Sequence, residues 1–202
     1  MRPGARGSGA TRRLFFAIWP DTAARAQLRQ VSARWLAQVP GRALAPADWH
    51  VTLCFLGAVP ASLLEPLRAG AAQVRAEAFS LTLAQLGYWP EARVLAASVA
   101  HTPAATAQLA EALRGAARAL GLQPDDQALR PHLTLMRGVS PARWQQARAA
   151  LAEERVALDV ALPVREFTLT ESLPAPPAAA GADPWASGAA RYALLARWPL
   201  RG

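Results

Sequence analysis

Two of the three histidines in this 202-residue chain stand in matching contexts, His50-Val51-Thr52-Leu53 and His132-Leu133-Thr134-Leu135, 82 residues apart. Along an extended strand alternate side chains share a face, so His50 and Thr52 are expected to point one way and Val51, Leu53 and Phe55 the other. His132 and Thr134 stand likewise against Leu133 and Leu135. Each segment buries an apolar edge and presents an imidazole beside a hydroxyl. An imidazole titrates near pH 6.5, so modest differences in surroundings hold one ring neutral and another protonated, and a pair supplies base and acid together. This chemistry fits phosphodiester cleavage: a neutral His takes a proton from water attacking phosphorus, and a charged one gives a proton to the departing sugar oxygen. Thr52 and Thr134 are then candidate hydroxyl donors to the non-bridging oxygens, where charge builds. Arg137, three residues past Thr134, is the candidate for neutralising the phosphate, with Arg130 a weaker second.

Singly, each histidine could be a satisfied residue on a half-buried strand; two in matching contexts favour one shared pocket. Cys54 is the only cysteine and is expected on the face of His50 and Thr52, where it reads first as a groove-lining or packing residue, with a His, His, Cys zinc site, whose ligands would be of the right type, as the minor alternative. No carboxylate cluster lies near either motif, which speaks against a two-metal mechanism. The proposed chemistry needs no metal, and no cofactor is expected. His101 lacks the motif and reads as a surface residue. Trp49, Tyr88, Trp89 and Tyr192 could stack on a nucleobase or simply pack. Phe55 reads as core, and the Glu171-Ser172 pair as structural.

The bulk composition sets the frame. Hydrophobic residues make up 52% of the chain, enough for a globular core, and no apolar run is long enough to span a bilayer. One cysteine excludes an internal disulfide framework. A soluble, cytoplasmic, monomeric protein with no membrane partner is expected. The formal charge of +8 suggests a polyanionic partner, and all 22 basic residues are Arg, whose planar fork suits phosphate. The absence of Lys and Asn points to compositional drift acting across the chain, so the placement of particular arginines says more than their total.

Around the motifs, residues 1–12 carry no period and read as a disordered tail, leaving 13–202 as one bilobal domain. Residues 14–19 read as a buried strand. Asp21 caps a helix running to about 39, with Ala24, Leu28, Val31, Trp35 and Leu36 inward. Further helices are expected at 61–77, 103–120 and 141–153. Strands are expected at 49–56, 79–86, 94–99, 131–137, 156–162, 164–171 and 192–198, with a long loop at 174–190 rich in Pro, Ala and Gly. The order recurs loosely across two halves. The fold class is α+β, with two antiparallel or mixed sheets, outer helices and a pseudo-twofold axis between the motif strands.

The segments RLFFAIWP, HVTLCFLG, PHLTLMRG, LTES and YALLARWPL, in this order over about residues 13–200, resemble the bacterial and archaeal RNA 2',3'-cyclic 3'-phosphodiesterases. These were historically called 2'-5' RNA ligases and form part of the two-histidine (2H) phosphoesterase superfamily. The resemblance implies a bilobal fold with both motifs in a central groove, and hydrolysis of a 2',3'-cyclic phosphate to a 2'-phosphate. The implied partner is RNA with a 2',3'-cyclic phosphate end, tRNA fragments or nucleotides included. By position it carries catalysis onto His50 and His132, with His132 as base and His50 as acid, and phosphate binding onto Thr52, Thr134 and Arg137. The alternatives are the same site acting on 2'-5' linked oligonucleotides, reversible ligation included, or on other cyclic nucleotides, and an RNA-end binding protein without turnover. A chain without Lys cannot be a lysyl-adenylate ligase.

Overall fold

The computed structural model describes residues 10–151, 158–174 and 190–202. Among the described residues, apolar alternation and short turns produce nine strands: β1 (Thr11–Ile18), β2 (Arg42–Ala43), β3 (Val51–Pro60), β4 (Phe79–Trp89), β5 (Val94–Val99), β6 (His132–Arg137), β7 (Val160–Val164), β8 (Glu166–Ser172) and β9 (Tyr192–Pro199). Four helices accompany them, α1 (Thr22–Gln38), α2 (Leu64–Ala71), α3 (Ala104–Arg118) and α4 (Pro141–Leu151). Asp21 caps α1 as expected, its Oδ1 accepting the Ala24 N–H at 2.8 Å.

The strands run in the order β7-β4-β5-β6-β3-β1-β8-β9, with β2 paired to β6, and every named pairing is antiparallel. The two sheets expected from the sequence are two half-sheets that meet at one place, where Val51 of β3 stands opposite Leu133 of β6. Val51 and Leu133 belong to the main core, with Phe16 and Ile18 of β1, Leu28 of α1, Leu67 of α2 and Leu109 and Leu113 of α3. A second cluster gathers Val39, Leu95, Met136, Val139 and Ala147. Helices thus cover the Val51 face of the sheet, and the opposite face at the joint carries the polar residues of the motifs.

Several boundaries differ from expectation. Thr11 and Arg12 are not tail but the start of β1, and Arg12 is tied to Glu171 of β8 through Nε to Oε1 at 3.0 Å, the structural role expected of Glu171. The second helix is a 3-10 turn at Ala61–Leu63 followed by α2, which ends at Ala71 rather than 77. The two-residue β2 is too short to show a period. Residues 1–9 of the tail and 175–189 of the long loop lie outside the described residues, as do 152–157.

No helix of the described residues is long and apolar enough to cross a membrane.

Candidate active site

The antiparallel rung between Val51 and Leu133 fixes the site. Continued by one residue in each direction, that register sets His50 opposite Thr134 and Thr52 opposite His132, and residues directly opposite share a face. All four polar side chains therefore stand on the face opposite Val51 and Leu133. The strands part beyond this pair. Into the gap opens a groove of about 760 Å³, lined by residues 52–55 of β3, His132, Trp89, Glu91, Arg114, Asp125 and residues 127–130.

Both imidazoles are held in the same way. His50 Nδ1–H donates to the Asp48 carbonyl at 2.7 Å, and His132 Nδ1–H to the Arg130 carbonyl at 2.8 Å, in each case two residues upstream. Donation from Nδ1 fixes the neutral tautomer with its lone pair on Nε2, the nitrogen left to take or give a proton. Aromatic rings brace the two unequally. His50 lies against Phe15 and Trp19, each 5.0 Å between centroids, and Tyr192 at 4.8 Å. His132 has Trp89 at 4.2 Å.

Burial among these rings holds the His50 imidazole down to about 4, reinforced by the positive charge of Arg137 and by His132 and opposed by its bond to Asp48. His132 is lowered too, chiefly by burial, with Arg137 acting in the same direction against the bond to Arg130. Burial and Arg137 thus keep both rings neutral near pH 7, where one neutral and one protonated ring were expected. An anion between them would offset the burial and the Arg137 charge together and so draw a proton in.

Arg137 reaches this face because of a bulge. Ser98, Ala96 and Val94 of β5 alternate on one face, and their partners on β6 are His132, Thr134 and Arg137, leaving Leu135 as an extra residue. Without it, a spacing of three would have turned Arg137 to the other side. Arg130 is exposed at the groove rim, where its carbonyl rather than its guanidinium orients His132.

Bulges also overturn two expectations on β3. Ala17 pairs with Thr52 and Phe16 with Cys54, so Leu53 is an extra residue and the alternation slips by one. Cys54 therefore shares the core face with Phe16, 2% exposed, its thiol pushed up to about 12 by burial. It is not on the face of His50, and the His, His, Cys set is not assembled. Phe55, opposite Phe15, comes onto the site face instead of the core; it lines the groove with the Arg13 guanidinium 4.7 Å from its ring centroid.

The aromatic candidates separate accordingly. Trp49 is core, 1% exposed, and Tyr88 packs on Trp144 and donates its hydroxyl to the Val139 carbonyl at 3.0 Å. Trp89 and Tyr192 stand at the histidines. His101 is exposed ahead of α3.

Other residues at the site carry no motif. Phe15 and Trp19 read from the sequence only as parts of an apolar strand, yet they enclose His50; Trp19 Nε1–H donates to Thr168 Oγ1 at 2.9 Å. Asp48 pairs with Arg191, Nε to Oδ2 3.1 Å, which ties the turn whose carbonyl orients His50 to the start of β9, where Tyr192 covers the same ring. Burial raises the Asp48 carboxyl and Arg191 opposes that rise. Distance in sequence hides such pairs.

The family model of LigT-like phosphoesterases matches residues 18–96. A relative from Escherichia coli K12, an RNA 2',3'-cyclic phosphodiesterase, is 32% identical over 196 residues, 93% of this chain and 96% of its own. Among solved structures, E. coli LigT in its apo form matches with a TM-score of 0.75 at 30% identity, over 96% of this chain and 100% of that one. E. coli LigT complexed with 3'-AMP matches at 0.72 and 31%, over 95% and 99%. A protein from Thermus thermophilus matches at 0.67 and 27%, over 94% and 98%.

Proposed function

The chain belongs to the LigT-like phosphoesterase family, and on that premise we propose that it hydrolyses the 2',3'-cyclic phosphate at RNA ends, leaving a terminal 2'-phosphate. The observation that carries this reading is the matched pair of imidazoles, each with Nδ1 committed to a backbone carbonyl and Nε2 left for proton transfer, set on one face with two threonines by a single rung. The E. coli relative is named an RNA 2',3'-cyclic phosphodiesterase, and E. coli LigT has been solved complexed with 3'-AMP.

In this mechanism His132, which lines the open groove, accepts a proton from a water molecule as the water oxygen bonds to phosphorus. His50, enclosed by Phe15, Trp19 and Tyr192, gives its proton to the 3' oxygen as the bond from phosphorus to that oxygen breaks. The anionic substrate supports protonation of His50, which burial and Arg137 disfavour. Thr52 and Thr134 donate to the non-bridging oxygens, and Arg137 offsets the charge that builds there. No metal takes part in these steps.

Incubation with an oligonucleotide ending in a 2',3'-cyclic phosphate, in the presence of EDTA, tests the reading. The product is a 2'-phosphate end; absence of turnover, or turnover abolished by EDTA and restored by a divalent metal, overturns it.

A further inference from the structure

His50 is held from two directions, and both holds lead to one ion pair. At the ring edge, Nδ1–H donates to the carbonyl of Asp48 at 2.7 Å. Against the ring stands Tyr192, edge-on at 77° with centroids 4.8 Å apart. The carboxylate of Asp48 and the guanidinium of Arg191, the residue before Tyr192, are joined to each other, Nε to Oδ2 3.1 Å. Their side chains are only 17% and 12% exposed. An exposed pair contributes little, but a pair this withdrawn cannot lose one partner cheaply, because the other charge is left uncompensated where water barely reaches. Asp48 closes the 3-10 turn Pro46–Asp48, its N–H donating to the Ala45 carbonyl at 2.8 Å. Carboxylate and carbonyl therefore belong to one short, rigid unit, and fixing the first directs the second.

The other histidine is held differently. Arg130, whose carbonyl orients His132, is exposed, and its neighbours are fixed by the Val99 N–H on the Pro131 carbonyl and the Thr102 hydroxyl on the Leu129 carbonyl, each at 3.4 Å. His132 thus serves as an internal control for whatever the ion pair does to His50. We infer that Asp48 and Arg191 are positioning residues for His50: their bond aims the carbonyl that selects the Nδ1–H tautomer and seats Tyr192 against the same ring, so that Nε2 is presented for proton transfer. The inference takes the role of His50 as acid from the proposed reaction, while the tie itself is a property of the folded chain. Both residues act through the imidazole, so their loss falls on kcat rather than on KM.

Asp48→Asn, which keeps the size of the side chain and the backbone carbonyl, and Arg191→Gln test the tie in the full chain. With an oligonucleotide ending in a 2',3'-cyclic phosphate, each lowers kcat about tenfold or more and leaves KM near that of the parent. The double variant falls no lower than the slower single, since both act through one bond. Arg191→Lys, which keeps the charge, recovers part of the loss. NMR of the ring nitrogens near neutral pH supplies a readout that needs no turnover: in both single variants the His50 ring exchanges between its two neutral tautomers, while His132 keeps the parental Nδ1–H signature. Should Asp48→Asn fail to fold, the two Arg191 variants decide. Parental kcat in a folded variant, parental His50 signals, or equal changes at His50 and His132 overturn the inference. A parent that turns over no cyclic phosphate removes the proposed reaction instead, and the NMR comparison then decides the tie alone.

Discussion

Val51 and Leu133 face each other across β3 and β6, and this fully buried pair is the single rung joining the two half-sheets among the described residues. The rung carries the site on its other face, because one step along each strand places His50 and Thr52 against Thr134 and His132. Truncating it loosens both motifs at once. Leu133→Ala is expected to cost about 2–5 kcal/mol in urea unfolding, the range for deleting a buried leucine side chain. It should also lower kcat by about 10², since a small misplacement of reacting groups is that expensive. A folded variant with parental kcat would show that the rung does not position the imidazoles.

The two imidazoles form one proton-transfer unit in the proposed mechanism, so their losses should not multiply. His50→Ala and His132→Ala are each expected to lower kcat by about 10² or more. The double variant should fall near the weaker of the two singles rather than at the product of their effects. Thr52→Val and Thr134→Val should cost less, each removing one donor to the phosphoryl oxygens. Multiplicative losses in single-turnover rates would mean that the histidines act in separate steps.

The same strands show how far the sequence could be read. The α+β class, the two motif strands, the Asp21 cap and the burial of Val51 and Leu133 follow from apolar periodicity and local capping chemistry. The errors on β3 trace to the extra residue Leu53, which no alternation pattern announces, and which exchanges the faces of Cys54 and Phe55. Leu135 acts in the opposite sense on β6, where it makes the expected role of Arg137 geometrically feasible. Phe15, Trp19, Asp48 and Arg191 could not be found as site residues from the sequence. Their roles arise from β1, β9 and the turn before β3 converging on His50 through tertiary packing alone.

The pH dependence follows from the lowered imidazoles. Both lie below the ordinary histidine value of 6.5, and the productive form carries one proton between them. The kcat/KM profile, which reports the free enzyme, should therefore be a bell with its maximum below pH 6.5. Bound phosphate favours the charged ring and raises its pKa. The kcat profile should accordingly lie at higher pH than the kcat/KM profile. Coincident profiles, or a flat response between pH 5 and 8, would contradict paired imidazoles governed by burial and by Arg137.

His50 also links stability to pH, and the sign is fixed by the direction of its shift. The ring titrates near 6.5 in the unfolded chain and at about 4 when folded, so between these values the unfolded chain holds more protons. Stability from this group is intact above pH 6.5 and is lost as the pH falls through 6.5 towards 4. A shift of that size corresponds to about 3 kcal/mol, most of it already lost at pH 4.5. Because other groups titrate in the same range, the informative quantity is a difference between two proteins. Urea unfolding at pH 7 and pH 4.5 should show a larger acid loss for the parent than for His50→Gln, by about 2 kcal/mol. Equal losses in the two proteins would mean that the ring beneath Phe15, Trp19 and Tyr192 accepts a proton as readily folded as unfolded, and that burial does not lower its pKa.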